Sequence, residues 1–297
     1  MDASIKYKRE KIDEIIDLVN NSYISSIEKV VTEIIRVIND SRSSAKDLKE
    51  IIEVDPPLTG KVLKRANSAF YARRRRISEI QQAIILIGFD MVQELALSQK
   101  VYELFMNDDT IYGYSRISLW KHSVAVAIFA KMIYRREYGE RGDNAYAAGL
   151  LHTLGIIIED QFLHDQFVEI LKISKKEEIN LDELEYEVFG FNNADIGKAI
   201  TNTWDLPVEL VNAIGYHHQP GRVHSKYAKI TKTLFIADYI CQKLDLGYSH
   251  SPFHDGALFQ SCLRELGLRD KALEYIISEV QLQVKQMEKE GWFQHVA

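Results

Sequence analysis

Apolar residues recur at helical spacing along nearly the whole chain, and this periodicity constrains the fold more than any other feature. In one stretch, for example, Ile27, Val30, Val31, Ile34 and Ile35 lie on one helix face. Only five prolines interrupt the 297 residues, and few short alternating runs are bounded by turn residues as an all-β protein requires. The sequence therefore predicts an all-α protein.

Polar and proline-containing breaks separate the predicted helices. Ser44 is a predicted N-cap, and Asp55-Pro56-Pro57 ends the next helix because the residue before a proline is disfavoured in the α region. The polar stretch 107–115 is a predicted hinge between an N-terminal bundle and the rest of the chain. The other predicted helices cover residues 58–67, 79–105 with a turn at 88–90, 119–138, 144–162, 181–188, 194–204, 208–217, 228–244 and 271–289.

The connector at residues 69–76 carries three expectations. We expect Asn67 to hydrogen-bond backbone groups of the connector, and Phe70 and Tyr71 to be buried against neighbouring helices. The run Arg73-Arg74-Arg75-Arg76 is short enough to be a solvated surface. Because the net charge is also −6, we do not expect a nucleic-acid partner.

Composition and local motifs exclude several classes of protein. The two cysteines, Cys241 and Cys262, are too few for a disulfide framework, which favours a reducing cytoplasm. The polar N-terminus has no secretory signal, and no run of 18 apolar residues predicts a membrane span. No glycine-rich phosphate-binding loop is present. The sequence predicts a cytoplasmic protein without membrane contact.

A small set of histidines and acids can carry chemistry in such a helical protein, where side chains from several helices converge. The candidates are His122, His152, the pair His217-His218, and Asp238. Taken singly, each residue is more typical of a hydrogen-bonded core or capping group than of a ligand. Their order along the chain is more informative.

This order resembles the HD superfamily of helical metal-dependent phosphohydrolases, and the closer resemblance is to the HDOD family. The block Ala66-Asn67-Ser68-Ala69-Phe70-Tyr71 is a specific part of it. The segments that carry the resemblance are residues 54–59, 63–71, 77–84, 149–155, 204–207 and 216–218. It covers roughly residues 21–220.

The resemblance implies an N-terminal helical bundle packed against an HD-like helical lobe. The implied domains are an N-terminal extension at 1–20, an HDOD domain at 21–220 with lobes to about 107 and from about 115, and C-terminal helices at 221–297 that complete the second lobe. In active relatives, a histidine, a His-Asp dipeptide, further histidines and a later aspartate bind one or two metal ions.

This chain departs from that pattern at two positions. Thr153 follows His152 where the dipeptide has aspartate, and Asn193 stands where a later histidine is expected. The residues that remain are His122, His152, His218 (or its neighbour His217) and Asp238. They are either one site for zinc, nickel, iron or manganese, or a hydrogen-bonded relic of a metal site.

The resemblance therefore implies a non-catalytic signal-transduction module of a bacterial cell, which binds a partner signalling protein or a nucleotide. The alternative is a metal-dependent phosphohydrolase or cyclic-nucleotide phosphodiesterase of the HD superfamily, with the same four residues as its metal ligands. A threonine hydroxyl cannot supply the charge of a metal-bridging carboxylate, which favours the first interpretation.

Overall fold

The structure, a computed structural model, describes residues 3–67, 77–106, 110–248 and 255–293. These residues form sixteen α-helices and no β-strand, which confirms the predicted all-α class. The helices are α1 (Ala3–Asn20), α2 (Ile24–Asn39), α3 (Ala45–Glu53), α4 (Pro56–Ala66), α5 (Ile80–Ile87), α6 (Phe89–Tyr102), α7 (Arg116–Ile133), α8 (Asp143–Leu151), α9 (Leu154–Phe162), α10 (His164–Glu177), α11 (Leu181–Phe189), α12 (Asn193–Thr203), α13 (Val208–Tyr216), α14 (Ala228–Lys243), α15 (Gly256–Leu266) and α16 (Asp270–Lys289).

The chain divides into two compact units. The smaller contains Tyr23–Leu104, with α2 to α6, and the larger contains α1 together with everything from Phe105 onward. Within the larger unit α1 packs on α9 and α12, and Lys8 Nζ donates to Asp195 Oδ2 at 2.6 Å. The domain boundaries inferred from the resemblance stay a prediction.

The helix ends of the smaller unit follow from capping side chains. Ser44 forms a capping box with Asp47 at the start of α3, as predicted. The Asp55-Pro56-Pro57 segment ends α3 and also begins α4, where Asp55 accepts the Leu58 N–H at 3.0 Å. Asp55 further accepts from the buried Lys100 ammonium at 2.7 Å, so the same residue ties α4 to α6.

One helix prediction was wrong in the larger unit, and two helices of that unit were missed. The continuous helix expected at 144–162 is broken at His152 and Thr153, between α8 and α9. Both helices are buried on nearly all sides, so the apolar pattern runs through the break without a polar signal. Helices α10 and α15 were not predicted.

Among the described residues, no single helix is long and apolar enough to cross a membrane. Helix α5 passes such a test only jointly with the segment 89–105, and the two meet at a bend of 116°. Cys241 and Cys262 are both buried as free thiols.

Asn67, the residue that follows α4, hydrogen-bonds to the backbone on both sides of the connector. Its Nδ2 donates to the carbonyls of Leu63 and Ile77, and its Oδ1 accepts the Ile77 N–H, each at 2.8 Å. These bonds reach Ile77, the first residue after the connector, whereas the connector groups for which they were predicted lie outside the described residues. Phe70, Tyr71 and Arg73 to Arg76 lie outside the described residues.

We predict that Asn67→Ala lowers the free energy of unfolding by about 1–3 kcal/mol, because two backbone groups of Ile77 lose their partner. Asn21→Ala is the matched control, since the Asn21 amide makes only the equivalent bond to a carbonyl four residues earlier. Urea denaturation of both variants checks this. Equal losses would show that the Ile77 bonds contribute nothing measurable.

Candidate functional site

Four helices of the larger unit bring the candidate residues together. His122 lies within α7, His152 directly follows α8, His217 directly follows α13, and Asp238 lies within α14. Helix α8 lies against α7 because Gly149 has no side chain: a Cβ there would come within 2.4 Å of the Ala127 Cα. This approach leaves the His122 and His152 ring centroids 5.4 Å apart.

Two of the histidines are held in one tautomer by the helices that they end. His152 Nδ1 donates to the Gly149 carbonyl at 2.8 Å, and His217 Nδ1 donates to the Ile214 carbonyl at 2.7 Å. A carbonyl only accepts, so each proton lies on Nδ1 and the neutral ring carries a lone pair at Nε2. Backbone anchoring of this kind is typical of metal-ligating histidines.

Asp238 is the anionic centre of the cluster. Its Oδ1 accepts from His122 Nε2 at 2.9 Å and lies 3.9 Å from His152 Nε2, while Gln242 Nε2 donates to both oxygens at 2.9 and 3.0 Å. Burial opposes ionisation, but the His122 hydrogen bond and the neighbouring imidazoles outweigh it and hold the pKa of Asp238 well below its usual range. The carboxylate stays charged inside the protein.

His217 completes the cluster and is fully buried. Its ring centroid lies 5.2 Å from that of His152, and its Nε2 has no hydrogen-bond partner among the described residues. Burial, together with the neighbouring His218 and His152, keeps the pKa of His217 well below its usual range. His217 is therefore a neutral imidazole with an available lone pair.

His218, the residue predicted from the sequence as a ligand, lies elsewhere in the site. Its Nδ1 donates to Asp182 Oδ2 at 2.7 Å, and its ring packs on that of His217. Burial alone would lower the pKa of His218, but Asp182, aided by Asp238 and Glu185, raises it to about 9. The histidine whose ring adjoins that of His152 is His217. Ligation by either residue stays a prediction.

Both positions that depart from the family pattern are buried and hydrogen-bonded. Thr153 Oγ1 lies 2.7 Å from Ser123 Oγ, which donates to the Leu119 carbonyl at 3.0 Å, so the threonine is the donor to the serine. The Asn193 side-chain amide donates to Asp182 Oδ1 and Glu185 Oε2, both at 3.0 Å. Protein groups therefore engage both side chains.

Several residues of this network were not predicted. They are Ser123, Glu159, Asp182, Glu185 and Gln242. Gln242 had a usable signal, since it lies one helical turn after Asp238 on the same face of α14. The carboxylates carried no such signal, because α9 and α11, which supply them, contain none of the candidate residues predicted from the sequence.

A cleft of about 500 Å³ opens beside the cluster. Asp238 and His218 line it, and so do the aromatic rings of Phe235 and Tyr239 from α14. The other charged lining residues are Asp182, Glu183, Arg222 and Asp255. Its volume falls within the range of small-molecule or side-chain binding sites.

The geometry of the cluster fits a single metal ion. One ligand atom from each of His122, His152 and Asp238 lies within 4.8 Å of the other two. Two donors that both lie about 2.1 Å from one ion are about 3 Å apart at a right angle and about 4 Å apart when opposed. Asp238 Oδ1 lies 2.9 Å from His122 Nε2 and 3.9 Å from His152 Nε2, and both distances are close to those limits. Metal ligation itself stays a prediction for these residues.

The HDOD domain model matches residues 24–220, about two thirds of the chain. The chain belongs to the HDOD family. Its curated relatives include an uncharacterized protein of Treponema pallidum, 25% identical over 227 residues, and YuxH of Bacillus subtilis, 25% identical over 185 residues. These matches cover 75% and 61% of this chain but only 43% of either relative, so this HDOD chain spans less than half the length of both.

Solved structures agree with this HDOD fold. An HDOD protein of unknown function from Geobacter sulfurreducens is 27% identical, with a TM-score of 0.74 over 87% of this chain and 90% of that one. A protein from Marinobacter aquaeolei VT8, described as a candidate signal transduction protein, is 21% identical, with a TM-score of 0.76 over 97% of this chain and 66% of that one. At that identity, the second likeness shows the fold alone.

We predict that the His218–Asp182 pair makes stability fall in alkaline solution. The folded pKa of about 9 lies above the ordinary histidine value of 6.5, so the contribution is complete below pH 6.5 and is lost as the pH rises through 9. His218→Gln keeps a donor for Asp182 but does not titrate.

Unfolding free energies of wild type and His218→Gln between pH 6 and 10 test this expectation. The wild type should lose about 1.5–3 kcal/mol more than the variant, the range of a hydrogen bond to a charged group. His224→Gln, an exposed histidine, should follow the wild type. Parallel curves for wild type and His218→Gln would contradict the assignment.

Proposed function

We propose that this HDOD chain is a regulatory module of signal transduction that acts by binding a partner and performs no phosphohydrolase turnover. The observation that carries the proposal is the engagement of Thr153 and Asn193 by protein groups. Two-metal hydrolysis requires ions about 3.5–4 Å apart with an activated bridging water. Neither a hydroxyl that donates to Ser123 nor an amide that donates to Asp182 and Glu185 supplies the anionic or imidazole ligands that such a centre uses.

The charge of the cleft favours a basic group of a partner protein over a nucleotide. Among the described residues, the lining carries the carboxylates of Asp182, Glu183, Asp238 and Asp255 against the Arg222 guanidinium and the protonated His218. The aromatic rings of Phe235 and Tyr239 also suit a guanidinium or ammonium group, which is attracted to a ring face. A multiply charged phosphate would meet net repulsion there.

We predict that the protein binds N-acetylarginine amide more tightly than AMP in titrations followed by NMR. Asp255→Asn should weaken this binding by up to about fivefold, the effect of one exposed charge of about 1 kcal/mol. Asparagine preserves the N-cap that Asp255 provides for α15. Glu169→Gln, on the exposed side of α10, is the control. Tighter binding of AMP would overturn the assignment of a basic partner.

Absence of turnover is tested directly. The purified protein, assayed with cyclic and linear nucleotides and added manganese, nickel or iron, should show no hydrolysis above a His152→Ala control. His152 is one of the three residues that would hold a metal ion in this cluster. Hydrolysis that depends on His152 would refute the regulatory interpretation.

A metal-dependent phosphohydrolase is the second candidate, and the convergence of His122, His152 and Asp238 favours it. These three residues would hold the ion, with His217 Nε2 as a nearby additional donor. Such an ion supplies Lewis-acid polarisation of a phosphoryl oxygen. A solved structure from Shewanella amazonensis bears the name of a candidate metal-dependent phosphohydrolase. It is 17% identical to this chain, with a TM-score of 0.53 over 94% of this chain and 99% of that one, so it supports the fold alone.

Thr153→Asp separates a latent metal site from a hydrogen-bonded core. At a latent site, the added carboxylate should raise the affinity for zinc, nickel or manganese, because it ligates the ion and offsets its charge. In a hydrogen-bonded core, it should instead lower the melting temperature, because an unpaired buried carboxylate costs several kcal/mol. We expect the second result from calorimetric titration and thermal melts. A gain in affinity would favour the enzyme.

A further inference from the structure

Two glutamate side chains meet in the interior of the larger unit, next to Asn193 and outside the group formed by His122, His152, His217 and Asp238. Glu159 lies in α9 and Glu185 in α11, and both residues are completely buried. The carboxyl group of Glu159 lies within hydrogen-bonding reach of that of Glu185. Like charges buried side by side are strongly disfavoured, so this contact needs a physical explanation.

Of the two carboxyl groups, only that of Glu185 accepts hydrogen bonds from donors among the described residues. Glu185 Oε2 accepts the Asn193 N–H at 2.7 Å and the Asn193 side-chain amide at 3.0 Å. Neither oxygen of Glu159 has a donor among the described residues. Ionised carboxylates only accept, whereas a single proton converts one of the two into a donor to the other.

Among the described residues, the neighbouring charges that act most strongly on Glu159 are carboxylates. The charges that act on Glu159 come from the carboxylates of Glu185, Asp182 in α11 and Asp195 in α12. The cations nearby are engaged elsewhere: His218 by Asp182, Lys8 of α1 by Asp195, and Arg116 of α7 by Asp160, which also contacts His164 of α10. Burial and then the charge of Glu185 also raise the pKa of the Tyr248 hydroxyl.

The electrostatics agree with a shared proton. Burial first, and the charge of Asp182 second, raise the pKa of Glu185 to about 8. Burial and Glu185 raise the pKa of Glu159 well above its usual range. At neutral pH the pair therefore holds at least one proton.

We propose that Glu159 and Glu185 share one proton, and that this proton is a pH-sensitive fastening between α9 and α11. Helix α11 carries Asp182, Glu183 and Tyr186, which form one wall of the cleft. Loss of the proton leaves two buried anions in contact, loosens α11 and alters that wall. The effect of this change on partner binding rests on the proposed function. The fastening between α9 and α11 does not depend on that function.

The folded pKa values lie above those of free glutamate, which fixes the sign of the effect. The stabilisation is complete below about pH 4.5 and is lost as the pH rises through the folded value near 8. Glu159→Gln is the decisive variant. Its amide donates to Glu185 at every pH and so replaces the neutral acid without a titrating proton.

Two readouts on the full chain test the fastening. Infrared difference spectra should show a protonated carboxyl group at pH 6.5 that disappears by pH 9.5 and is missing from Glu159→Gln. Hydrogen exchange is corrected for its intrinsic pH dependence. The protection of the α11 amides of the wild type should then fall at least about tenfold between pH 6.5 and 9.5, because a coupling of one pKa unit corresponds to a factor of about ten. The α8 amides should not lose protection, and α11 of Glu159→Gln should stay protected.

The His218→Gln background removes the other alkaline transition, so the effect of the glutamate pair is measured alone. Equal loss of α11 protection in Glu159→Gln and wild type would overturn the proposal, as would the absence of a protonated carboxyl group at pH 6.5. If Glu159→Gln fails to fold, Glu185→Gln supplies the same donor from the other side. Failure of N-acetylarginine amide to bind would refute the proposed partner and leave the fastening intact.

Discussion

The buried carboxylate of Asp238 is the charge around which the larger unit is organised. Leaving an ionised carboxylate in the interior without partners costs several kcal/mol, so its hydrogen bonds to His122 and Gln242 are conditions of folding. The rings of His152 and His217 are themselves fixed by carbonyls in the last turns of α8 and α13. One charge thus couples the packing of four helices.

The sequence predicted the helical fold, the cap at Ser44, the end of α3 before Asp55-Pro56-Pro57 and the candidate residues of the site, because each follows from local spacing or from the order of motif residues. The break at His152 escaped prediction because α8 and α9 are buried on nearly all sides. The choice between His217 and His218 also escaped it. These residues are adjacent in a turn, and only the position of Asp182 on another helix decides which one becomes charged.

In the smaller unit, the polar residues of the family motif have structural roles, and these roles account for the residue types without a bound ligand. Asp55 caps α4 and pairs with Lys100, while Asn67 joins the end of α4 to Ile77. An amide at position 67 is required because the site both donates to a carbonyl and accepts from an N–H of the same residue. Resemblance at such positions is therefore evidence for the fold rather than for catalysis.

The two departures from the family pattern change how the site balances its charge. Asp182, Glu185 and Glu159 form an acidic region next to His218 and Asn193, where bound cations would otherwise be a natural counter-charge. Here an imidazolium neutralises Asp182, and, on our proposal, a proton neutralises the glutamate pair. Protons exchange freely with solvent, whereas a tightly held metal ion does not. A site balanced in this way responds to pH and to nearby charge, which suits a regulatory module better than a hydrolase.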